Sequence, residues 1–405
     1  MFKKIIKSAL FAAAGVSLMC AYTAGKIPDT MYFNYGENIA IQSLPSVSLR
    51  PVGESAAQRQ VRQTESSLSY TASLFGVFPL KEVSVRQTEE RYVNVSGKPF
   101  GIKMFCDGVM VVGFSDILTQ NGYQNPAKAA GLKLGDIITH INGQLVQTNE
   151  DVGKLISKSA CQPLEISYIR GEKEDSTTLQ AVKDTGSDTW RSGMWVRDSG
   201  AGIGTMTFYE YNLGYFAGLG HGIKDVDTQQ ELRLLSGEIV PVKITGIVKS
   251  KNGSAGRLKG TFLSAIGSGS VMHNGETGVY GKAWTMENEN PMPVANPARV
   301  KTGKAYILTT INGTEPEKYE IEIEKISLNA EDVNKNMVIR ITDSRLLSLT
   351  GGIVRGMSGS PIIQDGYLVG AVTHVFVNQV ESGYGIFARN MLDTIDSIAR
   401  ENMAA

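Results

Sequence analysis

"GGIVRGMSGSPIIQDGYLVGAV", residues 351–372, places Ser358 inside the run Gly356-Met357-Ser358-Gly359-Ser360-Pro361. Glycine on both sides of a serine lets the chain turn sharply and draws successive backbone amides together. Acyl transfer needs that shape, because amide N–H groups beside the serine must converge on the oxyanion that develops during attack. Turns favour Gly, Ser and Pro for conformational reasons alone, so the run by itself leaves two readings of Ser358, nucleophile or turn residue. The residues that follow, PIIQDGYLVGAV and then THVFV, read as strands joined by a hairpin turn at Asp365-Gly366.

Upstream of this stretch, from Trp190, the chain alternates short apolar runs with glycine-rich or charged turns. GIGTMTFYE, YFAGLGHGI, ELRLLSGEIVPVKITGIVKS, GRLKGTFLS, VKTGKAYILTTI, EKYEIEIEKISL and NMVIRITD are candidate strands, and EIEIEKI alternates as a half-exposed antiparallel strand should. Such a series predicts a barrel or sandwich, closed by an amphipathic helix over about 389–401. The whole chain has 405 residues, enough for two or three domains, and 44 glycines. Lys+Arg and Asp+Glu are both 40, and a formal net charge of zero gives no sign of a nucleic-acid partner.

A serine nucleophile needs a base, usually histidine, and the histidine needs a group that fixes its tautomer. Four histidines occur. His221, in YFAGLGHGIKDVDT, stands between Gly220 and Gly222 after a short apolar strand, as a base at a cleft edge or as a surface turn residue. His374, in AVTHVF, reads as lining the cleft or core, His273 as a loop-tip residue, and His140, within IITHI, as a structural one. GAGIGT at 200–205 lacks the lysine of a phosphate loop and reads as a glycine-rich turn into a strand. Cys20, Cys106 and Cys161 make no metal-ligand cluster; the last two could pair, but buried or free thiols are the preferred reading. No metal or other cofactor is expected.

At the N-terminus, MFKKIIKSALFAAAGVSLMCAYTAG sets Lys3, Lys4 and Lys7 before an apolar run, the pattern of an export signal that carries the rest of the chain across a membrane. Ala21-Tyr22-Thr23 before Ala24 leaves cleaved signal and uncleaved anchor open. Residues 25–65, with Pro28, Pro45, Pro51 and the run SAAQRQVRQTESSLS, read as a solvated tether, and GVFPLKEVSVRQ as an entry strand.

Between the tether and Trp190 lies a distinct block. PFGIKMFCDGVMVVGF reads as two strands around Cys106-Asp107-Gly108, PAKAAG as a one-turn helix, and LKLGDIITHINGQLV as a turn, a strand, a turn at Asn142-Gly143 and a strand. TNEDVGKLIS is an amphipathic helix capped by Thr148 or Asn149, and PLEISYIRG closes the sheet. This order, and AGLKLGDIITHINGQ above all, resembles a PDZ domain over 98–184. That resemblance implies an extended peptide added as a strand to the sheet edge, with Phe100-Gly101-Ile102 as the amide-lined loop for its carboxylate.

VRDSGAGIGTMTFYE, GLGHGIKDVDT and RGMSGSPIIQDGYLVGAVTHVFVN, after a PDZ-like block and an N-terminal signal, resemble the stage IV sporulation protein B (SpoIVB) serine peptidase family of spore-forming bacteria, within the trypsin-like clan. The resemblance implies a mainly β chain: signal or anchor over 1–24, tether and entry strand over 25–97, PDZ domain over 98–184, and a β-barrel peptidase with a C-terminal helix over 186–405. It implies Ser358 as nucleophile, His221 as general base, Asp343 as the acid orienting it, and the amides of Gly356 and Ser358 as the oxyanion hole. Asp343 stands only 15 residues before Ser358, with no room for a barrel between them, so it must reach the imidazole from the second barrel or another acid must serve. Asp225 and Asp227 are the near alternatives in sequence. The implied activity is a sporulation-signalling serine endopeptidase. It would cleave the extracytoplasmic part of a membrane protein complex between forespore and mother cell, and so activate late sigma-factor processing, with the PDZ domain governing targeting and self-cleavage. The alternatives are an HtrA-like quality-control protease, against which stands the PDZ domain placed first, and a non-catalytic PDZ adaptor.

Overall fold

Residues 25–52, expected as a solvated tether, are folded. In the computed structural model, which describes residues 2–52, 68–285 and 291–404, helix α1 (Phe2–Gly25) leads directly into a small sheet. Its strands are β1 (Thr30–Asn34), β2 (Val47–Pro51), β3 (Leu68–Leu74) and β4 (Phe78–Thr88), in the order β1-β4-β3-β2. Ile27, Phe33, Ile41, Val47, Ala72, Val83 and Val85 bury its inner face. The sheet is fastened to the C-terminal half: Asn296 Nδ2 donates to Asn34 Oδ1 at 2.8 Å, Gln42 N–H to the Ala298 carbonyl at 2.7 Å, and Arg299 pairs with Glu37 at 3.0 Å. Most of the Gln/Arg/Ser-rich run lies at 53–67, outside the described residues. No described helix is long and apolar enough to cross a membrane.

Strand β5 (Pro99–Phe114) is 16 residues long and serves two bodies. Its far end carries the PDZ sheet through β6 (Ile137–Ile141), pairing Val109 with Ile138. Helix α2 (Asn149–Lys158) follows, started by a reciprocal cap between Thr148 and Asp151. Then come β7 (Pro163–Arg170), which pairs with β6, and β8 (Lys173–Gln180). The Asn142-Gly143 turn has positive φ at both residues (51° and 73°), as a two-residue hairpin of this kind requires.

The chain then returns as β9 (Met194–Glu210), running beside β5 from Met194↔Phe114 to Thr205↔Pro99. With β10 (Tyr215–Gly218), β11 (Leu234–Val248), β12 (Gly269–Gly275) and β13 (Gly278–Ala283), these two strands close a ring, β5-β11-β12-β13-β10-β9 and back to β5. The PDZ block is therefore inserted between the first and second strands of a six-stranded barrel. The glycine-rich run 200–205, expected as a turn, lies inside β9. A β-carbon on Gly204 would sit 1.9 Å from Leu219 Cδ2, so the missing side chain lets the barrel wall close.

A second closed barrel follows, built from β14 (Gly303–Thr309), β15 (Glu317–Ile326), β16 (Met337–Ile341), helix α3 (Ser344–Thr350), β17 (Pro361–Gln364), β18 (Tyr367–Phe376) and β19 (Gln379–Phe387), with ring order β14-β15-β16-β19-β18-β17. Ile307, Tyr319, Ile321, Ile339, Met357, Ile362 and Val372 fill its core. Helix α4 (Ala388–Ala404) closes the chain, burying Met391, Leu392 and Ile395. The mainly β architecture, the barrel and the C-terminal helix match the expectation from sequence. The cysteines do not pair: Cys106 is buried, its thiol pushed up to about 11 mainly by that burial, and Cys161 is exposed.

Phe100-Gly101-Ile102 is not a peptide-binding loop. Gly101 pairs with Ile203 on one side and Val240 on the other, so this stretch is barrel wall with both edges taken. Phe100 and Ile102 are buried. A β-carbon on Gly101 would lie 2.5 Å from Phe262 and 2.7 Å from Val240. Gly101→Val should therefore destabilise the barrel, by about 1–3 kcal/mol as overpacked cores do, instead of blocking a ligand selectively. Urea unfolding checks this: an unchanged midpoint with lost peptide affinity would restore the loop reading.

Candidate active site

The serine turn is set at the mouth of the second barrel, just before β17. Gly356 and Gly359 adopt φ of 103° and 93°, which L side chains rarely adopt. Gly359 also packs tightly against the first barrel. A β-carbon there would fall 1.9 Å from the Thr205 carbonyl oxygen and 2.5 Å from the Leu219 nitrogen. The second glycine of the motif is thus needed both for the bend and for the contact between barrels.

Backbone bonds fix the turn. Gly359 N–H donates to the Val372 carbonyl at 2.7 Å, Ser360 N–H to Met357 at 2.9 Å, and Met357 N–H to Val354 at 3.1 Å. The N–H groups of Gly356 and Ser358 donate to no acceptor among the described residues. These are the two amides that an oxyanion hole beside Ser358 would use. The Ser358 hydroxyl donates to the Thr373 carbonyl at 2.7 Å.

His221 comes from the other barrel. It follows β10 after Leu219 and Gly220, both at positive φ, and a β-carbon on Gly220 would lie 3.0 Å from Thr373 Cγ2. That bend lays the His221 segment against the strand whose Thr373 carbonyl holds Ser358. His221 Nδ1 is 2.9 Å from the Gly222 carbonyl. With Nδ1–H donating there, Nε2 is the nitrogen left to take a proton. Desolvation holds the imidazole below its ordinary value and the Lys224 cation adds to this, while the Gly222 carbonyl opposes it. The His374 ring lies 4.7 Å from the His221 ring, at the cleft as expected. His273 sits on β12 beside Tyr280, and His140 on the PDZ sheet.

The acids are placed differently. Asp343 is the N-cap of α3: its Oδ1 accepts from the Arg345 and Leu346 amides at 2.9 and 3.3 Å, and its Oδ2 pairs with the Arg345 guanidinium at 3.1 Å. Burial tends to raise this carboxyl, but Arg345 and the cap amides outweigh it and hold it below the usual carboxylate range. Asp343 makes no hydrogen bond to His221 here. Asp before Ser-Arg-Leu-Leu is a helix-start signal, and the carboxylate is engaged by the helix it starts. Asp225 and Asp227 both grip Arg197. The partner of the imidazole that the sequence did not reveal is a backbone carbonyl, which no side-chain pattern can announce. Asp343→Asn keeps an acceptor for the cap, so turnover is expected within about tenfold of wild type, whereas a fall of about 10⁴ would return Asp343 to the role of orienting acid. Steady-state kinetics on the purified variant decides between them.

A second feature lies in the PDZ block. Among the described residues Met194–Val196, at the start of β9, pair with β5 alone, and they share a cleft with α2. Val152, Gly153, Ile156, Trp190, Met194 and Trp195 line a cleft of about 390 Å³ between helix and strand.

A serine on a glycine-hinged turn from one barrel, a histidine from the other and two undonated amides beside the serine are the parts a serine endopeptidase uses, here with a second domain spliced into the first barrel. The SpoIVB peptidase S55 family model matches residues 188–392, half of the chain, and a PDZ domain model matches 108–180. The chain belongs to the SpoIVB peptidase S55 family. No curated protein matches it. Among solved structures, the PDZ domain of the SdrC-like protein of Listeria monocytogenes is similar at 24% identity, over 22% of this chain and 87% of that one, with a TM-score of 0.18. The family match begins at 188 and so leaves out Pro99–Cys106, the wall strand that the first barrel takes from ahead of the PDZ block.

Proposed function

We propose that the chain is a sporulation-signalling serine endopeptidase in which Ser358 is the nucleophile and His221 the general base. The meeting of the Gly356–Gly359 turn with the His221 segment at the seam of two barrels carries this reading. On substrate binding the Ser358 side chain leaves the Thr373 carbonyl for His221 Nε2, giving up a hydrogen bond of about 1 kcal/mol. Oγ attacks the scissile carbonyl carbon as Nε2 takes its proton. The developing oxyanion lies on the Gly356 and Ser358 amides, each worth about 3 kcal/mol of transition-state stabilisation. His221 returns the proton to the leaving amine, and water attacks the acyl-enzyme by the same route.

The substrate is a protein, the extracytoplasmic part of a membrane complex whose cleavage activates late sigma-factor processing. The PDZ block governs targeting and self-cleavage by taking an extended peptide as an added strand on Met194–Val196, against α2. Residues 1–24 act as export signal or anchor, carrying the rest of the chain into the space between forespore and mother cell. A PDZ block inside the first barrel, and not after the second, favours this reading over the HtrA-like one. The test is co-expression of the full chain with candidate membrane-complex partners. Wild type is expected to cleave one of them and Ser358→Ala none; equal processing by both removes the proposed function.

A further inference from the structure

Thr205 is buried, with 1% of its surface exposed, at the point where β9 passes beneath the serine turn. Its N–H donates to the Ser358 carbonyl at 2.9 Å, and its hydroxyl donates to the Gly356 carbonyl at 2.8 Å. Its own carbonyl accepts from Leu219 N–H at 3.3 Å, two residues before His221. Thr207, two positions along the same strand, donates through its hydroxyl to the Gly359 carbonyl at 2.8 Å. The turn bearing the nucleophile thus belongs to the second barrel by sequence, yet three of its carbonyls are held by the first. One of the residues that hold them also holds the segment leading to the base.

We infer that Thr205 is a positioning residue for the peptidase reaction: it sets Ser358 against His221 and holds the oxyanion amides in place. The inference rests on Ser358 and His221 acting as proposed above. The Met357–Ser358 peptide carries one of the two amides. The carbonyls on either side of it, Gly356 and Ser358, are the pair that Thr205 anchors, and the peptide's own carbonyl accepts from Ser360 N–H at 2.9 Å, so the turn cannot shift away from β9 without breaking one of the Thr205 bonds. Gly356 and Gly359, both at positive φ, are the hinges that would otherwise let the turn be displaced. A small displacement of such a turn is costly, because oxyanion stabilisation and attack both depend on distances fixed to a few tenths of an ångström. The hydroxyl is the specific element. Valine has the same shape and keeps the backbone bonds to Ser358 and Leu219 but leaves the Gly356 carbonyl without its donor, whereas serine keeps that donor.

The test uses the full chain and p-nitrophenyl acetate, with Thr205→Val, Thr205→Ser and Ser358→Ala beside wild type. Ser358→Ala gives the background. For Thr205→Val we expect kcat about 100-fold lower at unchanged KM, with Thr205→Ser within about threefold of wild type. Should valine not be accommodated, Thr205→Ala against Thr205→Ser carries the same comparison. Thr205→Val at the wild-type kcat overturns the inference. So does Thr205→Ser as slow as Thr205→Val with an equal loss of melting temperature, which would make Thr205 a packing residue. A wild type no faster than Ser358→Ala is a separate result: it removes the nucleophile reading, and the inference with it.

Discussion

Ser358→Ala is expected to lower kcat by about 10⁶-fold while leaving the fold in place. The hydroxyl makes one hydrogen bond, to the Thr373 carbonyl, and the turn around it is held by other groups: the Gly359, Ser360 and Met357 amides and the two threonines of β9. Removing one such bond costs about 1 kcal/mol, a shift of a few degrees in melting temperature at most for a chain this long. Activity and stability should therefore separate cleanly. The measurement is kcat beside a thermal melt on the same preparation. Residual cleavage near the wild-type rate in a folded variant would assign the nucleophile elsewhere.

His221→Ala should be about as severe, because serine and histidine act as one unit and losing either removes the assisted attack. Its pH dependence is more specific. A base works only when neutral. Desolvation, with Lys224 adding to it, lowers the proton affinity of His221 in the folded protein, against the pull of the Gly222 carbonyl. A lowered value keeps the ring neutral further into acid, so the acid limb of kcat/KM should have its midpoint below the ordinary value of about 6.5. Activity is retained at that pH and lost as the pH falls further. His273→Ala and His140→Ala should leave both rate and profile unchanged, since neither approaches the turn. If His374→Ala alone abolished activity in a folded protein, the base would be His374. A midpoint at or above 6.5 would contradict the desolvated setting of His221.

The bends that carry Ser358 and His221 were legible because glycine flanks both residues, and glycine in those places answers a geometric need that survives in the sequence. The hairpin at Asp365-Gly366, the Asn142-Gly143 turn and the Thr148 cap were legible for the same reason: each is local, and each has a residue preference with a mechanism. Non-local placements were not legible. β5 reads as the opening of the PDZ block because it runs into that block unbroken, and nothing in Pro99–Cys106 says that both its edges belong to a barrel formed more than a hundred residues later. Residues 25–52 looked like a tether because Ile27, Phe33, Ile41 and Val47 are spread among prolines and polar residues. Their burial needs β3 and β4, which lie beyond the polar run. The engagement of Asp343 by its own helix was overlooked for a different reason. Its helix-start pattern was present in Asp-Ser-Arg-Leu-Leu, and the short distance to Ser358 already stood against the orienting role, but that role came from the resemblance and not from the local pattern.

In the proposed chemistry Ser358 is the nucleophile and His221 activates it. Peptide mapping of the full chain after reaction with a fluorophosphonate tests it most directly. A single covalent adduct is expected on Ser358 in wild type, and no adduct with His221→Ala at matched time and concentration. An adduct on another serine, equal labelling of Ser358 without His221, or no labelling of the folded wild type would contradict it.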